Sequence, residues 1–266
     1  MIPNSLMPAL FIPHGGGPCF FMDWDPPETW EEMAAYLKGL GAALPRKPQA
    51  IVVVSAHWEE KEFTVTTNSA PDLIYDYYGF PDHTYQIKYP AAGAPDLAGR
   101  ICGLLEKSGI PVRADAERGF DHGVFIPLKL MFPAADIPIV QLSLKHGLDP
   151  AAHMAAGRSL APLRREDVLI VGSGMSYHNL KRFFRGHDPA SDIFDRWLTE
   201  TVTAETAPRA QRLLVWSDAP AAREAHPRAE HLLPLMVAAG AAEGGDGTVD
   251  FHGHVNGIAL SGYRFA

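Results

Sequence analysis

The sequence predicts an α/β protein in which one mostly parallel or mixed sheet is flanked by helices. Two apolar runs, IVVVS at 51–55 and VLIVG at 168–172, are typical of strands buried on both faces of such a sheet. Segments with the apolar spacing of helices alternate with these and similar runs along the chain. The 266 residues, 47% of them hydrophobic, are enough to build one large core.

Short β-branched or apolar runs predict the strands, and segments of helical period predict the helices. The strands are expected at 9–12, 51–55, 63–67, 137–144 and 168–172. The helices are expected at 29–40, 95–108, 124–132, 150–161, 192–206 and 230–239. The segment at 238–250 is interpreted as a helix end followed by a glycine-rich turn. Because no repeat or linker divides the chain, we expect residues 1–266 to form a single catalytic domain.

Composition and charge exclude several classes of protein. The net charge of −8 and the pI of about 5.8 make a nucleic-acid partner unexpected. Cys19 and Cys102 are too few for a disulfide framework and lack the spacing of a thiolate metal site. The N-terminal segment lacks the pattern of a leader, and no run of about 18 apolar residues indicates a membrane span. We therefore expect a cytoplasmic protein, whose oligomeric state the sequence does not specify.

Histidine is unusually frequent, and three of the 12 histidines follow predicted strands. His14 follows LFIP, His57 follows IVVVSA, and His178 follows VLIVGSGMSY. In open α/β sheets ligands bind at the carboxyl ends of the strands, so these distant histidines can meet there. Imidazole is a favoured ligand of zinc, iron and copper, and the nearby glycines allow a close backbone approach to a bound group. We predict a shared metal site; the alternative is three ordinary loop histidines beside ordinary turn glycines.

The motif HPRAEH at 226–231 adds two histidines and a glutamate. Helix entry near Pro227 would place Glu230 and His231 in the first helical turn, pointing about 100° apart, so one metal ion would not use both equally. His226 precedes the turn and is a candidate to support a metal ligand indirectly. The alternative interpretation is a helix N-terminus with a solvated acidic residue.

The motif DHG at 121–123 is a further candidate. Asp121 can cap a helix that begins at Val124 and leave the imidazole of His122 facing the strand-end crevice. Such a histidine can shuttle protons, or it can satisfy a buried carbonyl. The remaining histidines lie among loop or surface patterns and are assigned no chemistry: His83, His146, His153, His187, His252 and His254.

Several common catalytic motifs are absent from the sequence. There is no P-loop, no GxGxxG after a strand and no HExxH. HGGGP is similar to the oxyanion segment of esterases, but GSGMS at 172–176 does not match the GxSxG that such an enzyme requires. A serine hydrolase is therefore a weaker alternative to the metal site.

Six segments in order give the sequence a family resemblance: LFIPHGGGP, IVVVSAHW, YDYYGFPDHTYQIKYPA, DHGVFIPL, GSGMSYHNL and HPRAEHLLPL. Together they resemble the LigB-like class III extradiol ring-cleavage dioxygenases, and within them the branch of DOPA 4,5-dioxygenases. HGGGP alone is a weak indicator, whereas six ordered segments from about residue 9 to 240 are specific. The resemblance implies a single α/β domain with a central sheet, in agreement with the prediction from periodicity.

The resemblance also implies a set of metal ligands. His14 and His57 match the first two metal-binding histidines of the family, and His231 matches the third ligand of the DOPA branch. More distant members use a glutamate as the third ligand, which leaves Glu230 open as an alternative. His178 matches a histidine that acts as acid and base and can itself ligate zinc in this branch.

The implied reaction is the extradiol opening of a catechol, such as DOPA or a related small phenolic, by O2 at a ferrous ion. His178 would take a catechol proton and later assist oxygen insertion and ring opening beside the two hydroxyls. His122 matches a second active-site histidine that lines the pocket for oxygen and substrate. The loop at 75–90 matches a segment that closes over the substrate, where Tyr and Phe rings can stack on the catechol.

The implied metal is Fe(II), with Zn(II) as the alternative occupant. Fe(II) can supply electrons and Zn(II) cannot, yet a site built from imidazoles binds zinc more tightly. A third imidazole in place of a carboxylate raises the net charge of the site by one, which favours a catecholate and weakens the retention of iron. Two other functions stay open at this point: a zinc hydrolase with His178 as general base, and a metal-binding or small-molecule-binding protein without catalysis.

Overall fold

The computed structural model describes residues 6–242 and 244–266, and within them eight strands form one mixed sheet. The strands are β1 (Ala9–Pro13), β2 (Ala50–Glu60), β3 (Phe63–Thr66), β4 (Val112–Asp115), β5 (Ile139–Lys145), β6 (Val168–Gly174), β7 (Gly247–Val255) and β8 (Ile258–Phe265). Their order across the sheet is β4-β3-β5-β2-β6-β1-β8-β7. The predicted α/β class with a mostly parallel or mixed sheet is confirmed.

Helices flank this sheet. They are α1 (Glu31–Leu40), α2 (Pro95–Lys107), α3 (His122–Met131), α4 (Pro150–Leu160), α5 (Leu180–Phe183), α6 (Pro189–Val202), α7 (Thr206–Leu214), α8 (Ala222–Ala225) and α9 (Leu233–Ala241). Each helix predicted from periodicity is present with shifted ends, whereas α5, α7 and α8 were not predicted. Two sequence predictions fall partly outside the described residues: the N-terminal pattern includes residues 1–5, and the glycine-rich turn includes residue 243. No helix in the described part of the chain is both long and apolar enough to cross a membrane.

The parallel strands β2, β6 and β1 lie side by side at the centre of the sheet. Every residue of β1 and of β6 is buried, as expected for strands whose two faces are both covered. β5 continues the parallel set on the other side of β2. Because parallel strands end at the same edge of a sheet, the segments that follow β1 and β6 emerge beside the end of β2.

Helices α9 and α3 cover opposite faces of these central strands. Successive side chains along a strand point to opposite faces. A Cβ added at Gly172 would lie 2.3 Å from the carbonyl oxygen of Pro234 in α9, whereas the neighbouring Ser173 donates a hydrogen bond to the carbonyl of Gly123 in α3. Almost all of α9 is buried, because its sequence LPLMVAAGA is apolar all round and it packs between the sheet and α4.

The C-terminal hairpin of β7 and β8 is the largest element that the sequence prediction missed. Asn256 and Gly257 join the two antiparallel strands, with positive φ angles of 51° and 75°. Asn-Gly is strongly favoured at a two-residue hairpin turn that needs positive φ at both positions. β8 pairs antiparallel with β1, and β3 pairs antiparallel with β5, so the sheet is mixed at both sides of its parallel centre.

Two helical glycines provide a test of the packing between α4 and α9. A Cβ at Gly157 of α4 would lie 2.1 Å from the carbonyl oxygen of Val237, whereas a Cβ at Gly103 of α2 meets nothing within 4 Å. We expect Gly157→Ala to lower the free energy of unfolding by about 1–3 kcal/mol through overpacking. The matched Gly103→Ala variant should raise it by about 0.5–1 kcal/mol, since alanine favours helix over glycine. Urea unfolding measures both; equal effects would contradict the close helix packing.

Candidate active site

Five histidines from separate segments meet at the carboxyl edge of the central strands. They line one cavity of about 340 Å³, together with the glycines of HGGGP and several aromatic side chains. The structure thus brings together the five histidines predicted to bind metal or transfer protons: His14, His57, His122, His178 and His231. His226 does not line the cavity.

His57 lies within β2 and not beyond its end, because β2 extends further than predicted. The pairing of β2 with β5 shifts register between Val54 and Glu59. Such an irregularity bends a strand and changes the direction of its side chains. His57 follows the regular part of the strand, and its Nε2 lies 3.1 Å from Nε2 of His14.

The helix predicted from residue 230 begins later, at Leu233, with Pro234 in its first turn. Glu230 and His231 therefore lie in the turn before α9, and the predicted placement of this pair in the first helical turn is wrong. In the turn the two side chains face each other, with Glu230 Oε1 accepting a hydrogen bond from His231 Nδ1 at 2.9 Å.

Three of the imidazoles form a compact cluster. His14, His57 and His231 each offer a ring nitrogen, and these three atoms lie within 4.8 Å of one another. Among the described residues, Glu230 and His178 form a separate group with His231 and do not join His14 and His57. A third group consists of His57, Asp76 and His122, so among the described residues the group of His14, His57 and His231 is the one made entirely of nitrogen donors.

Ser173 determines where the lone pair of His14 points. The hydroxyl of Ser173 donates its proton to the carbonyl oxygen of Gly123, and its oxygen lies 3.1 Å from Nδ1 of His14. Since that hydroxyl proton is already used, the serine oxygen accepts a hydrogen bond from Nδ1 of His14. The proton of the neutral imidazole is then on Nδ1, and Nε2 carries the lone pair.

Carboxylates orient the other two rings of the cluster in the same way. An ionised carboxylate only accepts hydrogen bonds, so the contact of Glu230 with Nδ1 of His231 places the ring proton on Nδ1. Asp76 Oδ2 lies 3.6 Å from Nδ1 of His57, beyond hydrogen-bond distance, and its negative charge favours the same tautomer there. All three Nε2 atoms are therefore available as ligands.

The close approach of His14 and His57 provides the test of whether these residues fit a metal ion. Their Nε2 atoms are 3.1 Å apart, and in these tautomers no proton lies between them. Two facing lone pairs repel each other unless a cation lies between them. Hydrogen bonds to the opposite ring nitrogens are typical of metal-ligating histidines. The donor set therefore fits a divalent transition-metal ion.

Burial keeps the three clustered imidazoles in the neutral form that binds metals. Burial and then the charges of neighbouring histidines lower the pKa of His14 and of His231 well below the usual value. Burial and then the charge of His122 lower the pKa of His57 in the same way. Metal ligands must be deprotonated, and these rings need not lose a proton at neutral pH.

Glu230 anchors two rings through one oxygen. Its Oε1 lies 2.9 Å from Nδ1 of His231 and 3.2 Å from Nδ1 of His178, and the two rings stack with centroids 3.3 Å apart. Its Oε2 faces the guanidinium of Arg228 at 3.3 Å. Burial alone raises the pKa of Glu230, but the hydrogen bond from His178 and the nearby positive charges outweigh it and lower that pKa. Glu230 is therefore a partly buried anion, and the alternative of a solvated residue is wrong.

Asp76 orients His122 and was missed by the sequence analysis. Its Oδ1 accepts hydrogen bonds from the backbone N–H of His122 at 2.9 Å and from Nδ1 of that ring at 2.8 Å. Nε2 of His122 then carries a lone pair beside the cavity. The presence of Asp76 in the loop at 75–90 was visible in the sequence, but no local pattern links it to a residue 46 positions later.

Asp121 does not cap α3 as predicted. The helix begins one residue after it, at His122, and the carboxylate makes no capping hydrogen bond. Instead, this fully buried side chain accepts hydrogen bonds from Ser55 at 2.7 Å, from Arg118 at 3.1 Å and from Gln141. Asp121 therefore ties α3 to β2 and β5 directly beneath the histidines.

Aromatic side chains form the rest of the cavity wall. Tyr77 and Phe80 come from the loop at 75–90, whose conformation is fixed by hydrogen bonds such as that from the Tyr77 hydroxyl to the carbonyl of Thr84 at 2.7 Å. Trp24 and Trp30 line the opposite part of the cavity and were missed, although both follow HGGGP closely in an aromatic-rich segment. The cavity can accept a flat apolar ring.

Two other sequence hypotheses are settled by burial. Ser173 is fully buried and bonded to the backbone, so it does not present a nucleophile to the cavity. His226 is also fully buried, and its Nε2 donates a hydrogen bond of 2.9 Å to the carbonyl of Ser176, which ties the HPRAEH turn to the segment after β6, while its Nδ1 has no hydrogen-bond partner among the described residues. His153 was expected at the surface, but it is buried in α4 and bonds to backbone groups.

Comparison with known proteins gives one consistent family. The family described as "Catalytic LigB subunit of aromatic ring-opening dioxygenase" matches residues 8–265. The chain is 40% identical over 252 residues to a 4,5-DOPA dioxygenase extradiol of Beta vulgaris, covering 90% of this chain and 88% of the relative. It is 37% identical over 261 residues to the dioxygenase tasH of Hapsidospora irregularis, covering 90% and 79%. A crystal structure of an uncharacterized protein from Escherichia coli K12 matches with a TM-score of 0.79 at 33% identity, covering 98% of this chain and 100% of the other.

The hydrogen bonds to the buried carboxylate of Asp121 can be tested by their effect on the stability of the protein. We expect Asp121→Asn to lower the free energy of unfolding by about 2–4 kcal/mol, because the new amide N–H faces existing donors and Arg118 loses its counter-charge. The control Asp136→Asn removes an exposed ion pair with Lys47 and should leave the urea midpoint unchanged. Equal midpoints for both variants would contradict the role given to Asp121.

Proposed function

This chain belongs to the family of catalytic LigB subunits of aromatic ring-opening dioxygenases, and from this premise we propose that it is an extradiol dioxygenase. In the proposed reaction a catechol, DOPA or a related small phenolic, reacts with O2 and its ring opens beside the two hydroxyls to give a semialdehyde. The observation that carries the proposal is the convergence of three imidazole lone pairs in a cavity lined by aromatic rings. The cytoplasmic location stays a prediction.

We assign His14, His57 and His231 as the metal ligands of the active enzyme. The three neutral nitrogen donors, and the hydrogen bonds made by Nδ1 of His14 and Nδ1 of His231, support this assignment. A bound Fe(II) would supply the electrons and the open coordination positions that dioxygen chemistry beside a catechol requires. Zn(II) binds such donors more tightly but would not supply electrons.

His178 is the proposed acid and base. Its Nδ1 faces the Glu230 carboxylate at 3.2 Å, so its Nε2 is free to accept a proton from a substrate hydroxyl in the cavity. The anionic Glu230 stabilises the imidazolium that forms, and the same nitrogen can later return the proton to an oxygen of the product. His178 as an additional zinc ligand stays a prediction of the sequence analysis.

His122 and the aromatic loop position the substrate in this proposal. Asp76 holds the Nδ1 proton of His122, so Nε2 can accept a hydrogen bond from a catechol hydroxyl or from a protonated intermediate. Tyr77 contacts this imidazole edge to face, with ring centroids 5.7 Å apart, and Phe80 lies beside Tyr77. These apolar faces exclude water and orient a flat ring toward the histidine cluster.

Measurements of metal content and of oxygen uptake distinguish the proposed role of His231 from that of His178. After anaerobic loading with Fe(II), the wild type should consume O2 with a catechol and form a yellow ring-opened product. His231→Ala should lose most of the metal. His178→Ala should keep the metal and lose about 10²–10⁴-fold in kcat, the usual contribution of a general acid and base. The exposed His187→Ala variant is the control for both readouts.

Four outcomes would contradict parts of this assignment. No oxygen uptake with a broad panel of catechols would refute the dioxygenase. A His178→Ala variant with full metal and full activity would refute its role. Turnover that depends on zinc and not on oxygen would support the zinc hydrolase instead, and metal binding without an open coordination position would support a binding protein.

Ser173 is predicted to support metal binding without touching the metal. Ser173→Ala leaves the Nδ1 proton of His14 without its acceptor, so the tautomer with a free Nε2 is less favoured. We expect zinc affinity, measured by competition with a chelating dye, to fall about 10–100-fold. Ser159→Ala, at a serine that bonds only to its own helix, should bind zinc like the wild type. Equal affinities for both variants would show that the Ser173 contact does not orient His14.

A further inference from the structure

A second cavity, of about 480 Å³, adjoins the candidate active site. His178 and Leu180 line both cavities, so a group bound in the first can extend past them into the second. The second cavity lies between the segment 178–185 and the HPRAEH turn, and we call it the basic groove because of four side chains that line it: Lys181, Arg182, Arg185 and Arg228.

Two of these four cations are already paired. Arg182 Nη1 lies 3.3 Å from Oδ2 of Asp188. Arg228 forms an ion pair with Glu59 and contacts Glu230 Oε2 at 3.3 Å. These contacts hold the two guanidinium groups at the edge of the groove and partly neutralise their positive charge.

Lys181 and Arg185 are in a different situation. Both are exposed, and within residues 6–242 and 244–266 neither side chain has an ion pair or a hydrogen bond. The chain as a whole carries a net charge of −8, so two unpaired cations in one groove give it a local charge opposite in sign to that of the whole chain. Such a local excess attracts anions and raises their concentration at the mouth of the site.

The rim of the active-site cavity is apolar and exposed. Tyr78, Leu180 and Phe184 are 92%, 62% and 61% exposed, the three highest values among the large hydrophobic residues exposed in the described part of the chain. All three line the candidate active-site cavity. Exposed apolar side chains grouped at one cavity indicate a surface that a ligand covers.

We propose that the basic groove binds the anionic end of the substrate's side chain, so that the substrate is a catechol with a short tail ending in a carboxylate. This inference rests on the proposed function, in which the catechol ring lies among the histidines. The apolar rim contacts the tail, and Lys181 and Arg185 bind the carboxylate by charge-assisted hydrogen bonds. Among the described residues that line the groove, Glu230 is the one carboxylate, and His178, His231 and Arg228 already engage it.

The groove therefore favours a simple carboxylate over an amino-acid or amine tail. A zwitterionic tail such as that of DOPA brings an ammonium group among cations, and the tail of dopamine brings only the ammonium. We expect affinity to decrease from 3-(3,4-dihydroxyphenyl)propionate to DOPA to dopamine, with neutral 4-methylcatechol as the reference for binding of the ring alone.

The test is equilibrium binding to zinc-loaded protein without oxygen. Binding is measured by the quenching of tryptophan fluorescence, since Trp24 and Trp30 line the cavity. The wild type should bind the propionate about fivefold to tenfold more tightly than 4-methylcatechol, which is the contribution expected of two solvent-exposed charge pairs. In the double variant Lys181→Gln/Arg185→Gln this ratio should approach one. Arg212→Gln, at an exposed arginine of α7, should keep the ratio of the wild type.

Ionic strength gives a second readout on the unmodified protein. Raising salt from about 0.05 M to 0.5 M should weaken binding of the propionate and not of 4-methylcatechol, because exposed charges are screened. A wild type that binds both catechols equally, or a double variant that keeps the preference, would overturn the inference. Binding of the propionate with this preference but without oxygen uptake in the iron-loaded enzyme would instead contradict the proposed function alone.

Discussion

The structure of the site depends on the close approach of two imidazole nitrogens. Nε2 of His14 and Nε2 of His57 are 3.1 Å apart; the hydrogen bond to Ser173 places the ring proton of His14 on Nδ1, and the negative charge of Asp76 near Nδ1 of His57 favours the same tautomer in that ring. Two lone pairs at this distance are stable beside a cation and repel each other otherwise. The surrounding fold holds the pair in place from several elements at once.

The fold achieves this by close packing on both faces of β6. On one face the turn before α9 approaches so closely that a Cβ at Gly174 would lie 2.1 Å from the carbonyl oxygen of His231, which accepts a hydrogen bond from the N–H of Met175 at 3.0 Å. On the other face Ser173 links β6 to α3 and to the ring of His14. One strand thus positions two members of the cluster through adjacent residues.

The sequence predicted the fold class, the central strands and His14, His57 and His178, because buried strands and strand-end positions leave clear local patterns. The roles of His122 and His231 came from the family resemblance. The sequence did not predict Asp76, because the ring that Asp76 orients lies 46 positions later in the sequence. It did not predict the contacts of Glu230, because His178 is distant in sequence and the predicted helix pointed Glu230 away from His231. The helix boundary was wrong because Pro227 was interpreted as the helix entry, whereas Pro234 lies in the first turn of α9. The hairpin at Asn256 carried a clear turn pattern that periodicity alone does not detect.

The coordination of the zinc-loaded protein, determined by crystallography, tests the central claim most directly. We expect Nε2 of His14, His57 and His231 at about 2.0–2.1 Å from the ion, with Nδ1 of His14 still bonded to Ser173 and Nδ1 of His231 still bonded to Glu230. Coordination by the carboxylate of Glu230, or by Nδ1 of His14, would contradict this expectation.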